Sequence, residues 1–278
     1  MSVDWAGVLT HWQTDAISVI GIVLEFVAIA GYLYGVARVH SSGRTWPAFR
    51  IVSFVLGVAS LAIVLQSGFA AYDDDLLWVH MTQHLVLMMA AAPLLALGAP
   101  VRLCFAAGSG SVRRFVAEIL HDPSMRLITG TTAAVLLPLD YFGSMAVYVL
   151  TPLYRLSEVN QGFHEFVHVY FLACGVMFWV PMLGQDPVAW RPSLRLKLAL
   201  VTAGVPIFVV ISAAMFAEGK FISPDHSLAD IHHGGVAMLV GGVLLTLAGD
   251  ALVVWCEQRR TSAIRQRASE RLVLVSTS

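Results

Sequence analysis

Residues 80–99 read HMTQHLVLMMAAAPLLALGA. The stretch contains no Asp, Glu, Lys or Arg. Its length is what an α-helix needs to cross the hydrocarbon of a bilayer, about 20 residues. Yet it opens on two imidazoles. His80 and His84 stand four residues apart and so share one helical face. An ionisable side chain at membrane depth is costly and faces the bundle interior or a wet cavity. One segment therefore predicts both a membrane span and a polar site built at its start.

The whole chain has the same character. It has 278 residues, 58% of them hydrophobic and only 13% charged, with a mean hydropathy of +0.75. Soluble domains carry about 25% charged residues. Seven segments qualify as spans, at about 17–38, 49–70, 80–99, 127–150, 164–183, 197–217 and 233–256. The first follows a polar stretch without basic residues or a clear small-residue cleavage site, so it reads as a helix and not as a removed signal peptide. No repeat of 20–50 residues is visible. The expected fold is all-α: a polytopic membrane protein of seven transmembrane helices (1–256) with a basic cytoplasmic tail (257–278). Cys104, Cys174 and Cys256 are widely spaced and read as small apolar fillers.

Charge sets the orientation. Arg38, Arg44 and Arg50 lie between spans one and two, and Arg102, Arg113, Arg114 and Arg126 between three and four. Arg191, Arg195 and Lys197 lie between five and six, and Arg259, Arg260, Arg265, Arg267 and Arg271 in the tail. These are 15 of the 17 basic residues, all on alternate connections. The other connections hold Arg155, Lys220 and the acidic run Asp73, Asp74, Asp75. Basic residues stay in the cytoplasm, so the N-terminus is expected outside and the C-terminus inside. The basic tail reads as topogenic and lipid-facing, not as a nucleic-acid patch.

With that orientation, three inward-running spans open with histidine at the outer face. His80 and His84 begin the third, with Met88 one turn deeper on the same stripe. His164 and His168 begin the fifth. The seventh aligns Asp230, Gly234 and Met238, whereas His232 points elsewhere and His233 is intermediate. Imidazole suits copper, zinc, iron and nickel, and thioether favours Cu(I). Histidine with methionine nearby, and no cysteine pair, argues for copper as Cu(I), with zinc as the runner-up. Gln83, Glu165 and Asp230 are candidates to orient the rings. HEFVH at 164–168 also spells the zincin motif, with Glu165 as the would-be general base, so an intramembrane zinc metalloprotease is an alternative. A b-type haem protein with axial histidines is another. Asp140, inside span four, either pairs within the bundle or marks a shorter span.

Three stretches also carry a family resemblance. HMTQHLVLMMAAAPLLALGAP from His80, HEFVHVYFLACGVMFWVPMLG from His164 and DIHHGGVAML from Asp230 resemble the signatures of the seven-helix CtaG family of bacterial cytochrome c oxidase assembly factors. The resemblance implies a non-enzymatic role in the bacterial plasma membrane: copper handled at the outer face for a haem–copper oxidase. Oxidase subunits, the lipid bilayer and a soluble copper chaperone would be its partners. His80, His84, His164 and His168 carry over, and Asp230 and Met238 match more loosely. In two places the chain departs from the pattern. Val167 stands where the family has an acid, the acid here being Glu165, and His232–His233 replace uncharged polar residues.

Overall fold

The computed structural model describes residues 8, 10–73, 75–122, 132–188 and 190–276. Asp74 and Arg126, both used above for orientation, lie outside the described residues, as do residues 127–131 of the fourth expected span. Among the described residues seven helices are long and apolar enough to cross a membrane. Helix one is Ala16–Ser41, helix two Ala48–Gln66, helix four Ala133–Leu150 and helix five Gln161–Leu183. Helix three comprises Leu77–Val86, a π-helical turn Leu87–Ala91 and Ala92–Leu97. Helix six comprises Leu194–Thr202 and Gly204–Ile222. Helix seven comprises Leu228–Val236, a second π turn Ala237–Gly241 and Gly242–Ser276. The chain is a multi-pass membrane protein, and the expected separate tail is instead the continuation of helix seven. Helix one presents Ile20, Leu24, Phe26 and Val27 outward, as a lipid-facing helix does.

Helices three and five cross closely, and glycine allows it. A Cβ on Gly175 would stand 2.7 Å from Ala92 Cβ and 3.2 Å from Met88 Cα. The π turn of helix three falls at this crossing. Such a turn frees backbone carbonyls that lipid cannot satisfy. Here Met88 O accepts from Tyr141 Oη of helix four at 2.9 Å and from Trp179 Nε1 of helix five at 3.0 Å. One carbonyl thus ties three helices together, one turn below His84.

The end of the bundle bearing the histidines is fastened by caps. Asn160 Oδ1 accepts from Phe163 N at the start of helix five, and Ser227 Oγ from Asp230 N at the start of helix seven. Helix three has no side-chain cap of its own. Asp230 of helix seven supplies it, accepting from Leu77 N at 2.8 Å. A carboxylate at a helix N-terminus also meets the positive end of the helix dipole. At the opposite end Tyr32 Oη donates to Gly98 O at 2.7 Å and accepts from Trp46 Nε1 at 3.0 Å. This pins the turn at Ala99, which has a left-handed φ of 52°. Asp140 pairs within the bundle, accepting from Tyr170 Oη at 2.6 Å and Cys174 Sγ at 3.0 Å.

The crossing makes a prediction. Gly175→Val should destabilise the protein by about 1–3 kcal/mol through overpacking. Gly31→Ala, with nothing within 4 Å of the new Cβ, should leave thermal unfolding in detergent unchanged or raise it slightly.

Candidate metal centre

Helix periodicity puts His80 above His84 on helix three and His164 above His168 on helix five. Because the two helices meet two turns below, the stripes face each other. Ring centroids are 4.8 Å apart for His80–His164, nearly parallel at 13°, and 5.4 Å for His84–His168. Two overlapping sets of donor atoms lie within 4.8 Å of one another: His80, His84 and His164, and Asp73, His164 and His168. All five residues are buried, His84 completely.

Asp73 was read from sequence only as part of an acidic run. It lies in the turn before helix three, with Oδ1 3.5 Å from His80 Nδ1 and Oδ2 3.9 Å from His164 Nε2. Burial works to raise its carboxyl. The hydrogen bond with His80 and the charges of His80, His164 and His168 outweigh that and hold it at about 2. Asp73 is therefore an anion at neutral pH, set where a cation would be bound. Tyr148 is the other residue that sequence reading missed. Its hydroxyl stands 3.1 Å from His80 Nε2 and 2.6 Å from Ser157 Oγ.

The ring nitrogens show what the cluster lacks. His80 Nε2 and His84 Nε2 approach to 2.8 Å, so without a cation one must donate to the other. His84 Nδ1, His164 Nε2 and His168 Nε2 are buried with no hydrogen-bond partner. An unsatisfied buried polar atom costs about 1–3 kcal/mol. Three in one cluster, with Asp73 Oδ2 3.9 Å from His164 Nε2, fit a bound transition-metal ion. His168 Nδ1 lies 3.7 Å from Glu165, so that ring is steadied as metal-bound imidazoles usually are.

The other candidates lie apart from this cluster. Asp230 is committed to capping helix three and belongs to neither donor set. Met88 borders a small apolar cavity with Met89, Met145 and Tyr141, and Met238 is fully buried in the main core. Gln83 Nε2 donates to Val64 O of helix two and so ties helices together instead of orienting a ring. His232 stacks on Phe216, and His233 is exposed. The donor groups brought together here are imidazole and carboxylate.

The chain is similar to known proteins over most of its length. Residues 30–258 match the family described as cytochrome c oxidase caa3 assembly factor (Caa3_CtaG). An uncharacterized protein of Mycobacterium leprae (strain TN), ML1998, is 29% identical over 223 residues, covering 78% of this chain and 33% of the relative. Another of Mycobacterium bovis, Mb0105, is 28% identical over 282 residues, covering 94% of this chain and 42% of the relative. The chain therefore spans well under half the length of these relatives. No solved structure matches it significantly.

Beside the centre, Glu158 Oε1 lies 3.4 Å from His226 Nδ1. The Glu158 hydrogen bond raises the imidazole's pKa against the effect of burial. Glu158 is lowered: burial opposes this, but hydrogen bonds from His226, Tyr154 and Ser223 prevail. His226 thus stabilises fully below its ordinary 6.5 and loses that contribution as pH rises through its raised value. Glu158 stabilises fully above its ordinary 4.5 and loses that contribution as pH falls through its depressed value. Metal-free protein should therefore gain most from the pair between pH 4.5 and 6.5, and Glu158→Gln should remove that gain in pH-resolved thermal unfolding.

Proposed function

We propose a copper-handling role from one premise: the chain belongs to the family of cytochrome c oxidase caa3 assembly factors. Copper is its cargo. His80, His84 and His164 hold the ion, Asp73 balances its charge, and His168 completes the set from helix five. The observation that carries this reading is the three buried, unpartnered imidazole nitrogens of one cluster, with the Asp73 carboxylate beside His80 and His164. Imidazole serves copper and zinc alike. With Met88 and Met238 in the core, the preference for copper rests on the family's oxidase client and not on thioether ligation.

The distribution of basic residues supports a centre at the outer face of a bacterial plasma membrane, with the C-terminus in the cytoplasm. Polar cavities of about 330 and 480 Å³ border the histidines and give an ion a route that avoids lipid. The protein holds the ion and releases it to the oxidase; no bond in a substrate is made or broken. Oxidase subunits receive the copper, and a soluble chaperone supplies it.

Two observations bear on the alternatives. Glu165 leans on the His168 ring, a steadying position, whereas a metalloprotease needs it on a metal-bound water. The nearly parallel His80 and His164 rings, 4.8 Å apart, leave no slot for a haem between them.

In cells depleted of the native protein, His80→Ala/His84→Ala should lower assembled oxidase to the level of a deletion. Glu165→Gln should retain most of it, which a protease would not. Wild-type oxidase levels in a variant lacking all four histidines would sink the copper reading and leave a scaffold. Asp73→Asn should weaken metal binding about 10–100-fold, the usual loss for a ligand's supporting carboxylate. Periplasmic reporters should be active when fused near residue 160 and inactive at the C-terminus.

A further inference from the structure

The loop before helix seven carries a fifth buried imidazole, at His226. It is more than nine-tenths buried, with 8% of its surface exposed. Its Nδ1 pairs with Ser223 Oγ at 2.7 Å and Glu158 Oε1 at 3.4 Å, and Ser223 Oγ donates to Glu158 Oε1 at 3.1 Å. Its Nε2 is buried and has no partner. One ring nitrogen held by a carboxylate and the other left free is the arrangement of a metal-ligating histidine. His168 has the same pattern with Glu165.

The position of His226 gives this a direction. It borders a cavity of about 330 Å³ that also contains Asp73, His80, His164, Glu158 and Asp225. It also borders a second, polar cavity of about 480 Å³ with Asp75, Asp225, Asp230 and His233. His226 and Asp225 are the residues common to both cavities. The loop is held in place, since Lys220 Nζ donates to the carbonyls of Pro224, at 3.0 Å, and of His226.

We propose that His226, supported by Glu158 and Ser223 and assisted by Asp225, is a second metal station between the outer cavity and the four-histidine centre. It rests on the copper-handling reading of that centre. An ion entering the acidic outer cavity binds His226 Nε2 first. It then exchanges that ligand for His80 and His164, keeping its charge and releasing the His226 lone pair. Release to the client follows the same path reversed. Few ligands at the station make the ion easy to pass on, and more ligands at the centre make it easy to keep.

The test is a Cu(I) titration of the purified full-length chain in detergent against a competing chelator, with bound copper counted by elemental analysis. Wild type should bind two ions. His226→Ala should bind one, and His80→Ala/His164→Ala should also bind one. Glu158→Gln, which preserves the side chain's shape, should weaken only the second ion, about 10–100-fold; it serves if His226→Ala fails to fold. A single ion in the wild type overturns the station. If that ion is lost in His80→Ala/His164→Ala, the four-histidine centre still stands. Two ions retained by His226→Ala also overturn the station. No ion in the wild type overturns both readings.

Discussion

The architecture depends on the close crossing of helices three and five at Gly175 and Ala92. Any side chain at 175 would push the two helices apart, because its Cβ would meet Ala92 at 2.7 Å. Two turns above the crossing, the same approach brings His84 against His168 and His80 against His164. A lateral shift of one helix would separate the imidazoles and leave each facing lipid or a partial cavity. The Met88 carbonyl, held by Tyr141 and Trp179, locks the crossing from two sides. Packing in the apolar core therefore sets the distances in the polar site.

A cation held among these rings would need an anion nearby to offset its charge. Asp73 supplies it from a loop, close to two of the four rings and kept ionised by them. Asp230, the acid that helical alignment favours, is spent on the N-terminus of helix three. That cap is itself part of the construction, for it joins helix seven to the first turn of the helix carrying His80. The three helices that begin at this end of the bundle thus play different parts: three and five carry the four histidines, and seven fixes their height.

The sequence made some of this legible and not the rest, for physical reasons. Membrane spans announce themselves by length and lack of charge: five of the seven expected segments lie within the observed spans, and the fourth does so from Ala133 onward. The second overran, because residues 67–70 leave the helix at Ser67. The HxxxH pairs were legible because a helix repeats every three to four residues. The π turns were not, since they are set by which carbonyls find partners on other helices. Asp73 and His226 were hidden because loop residues have no periodicity that assigns them a face. Met88 and Met238 are buried in the main core. They share the helical stripe of their neighbours, but one and two turns deeper the stripe has already entered the apolar core.

The most direct test of the account is X-ray absorption spectroscopy of the purified protein loaded with one equivalent of Cu(I). The account predicts a ligand shell of imidazole nitrogen and no sulfur, lost in His80→Ala/His84→Ala. A sulfur-dominated shell, or copper held equally by that variant, would contradict it.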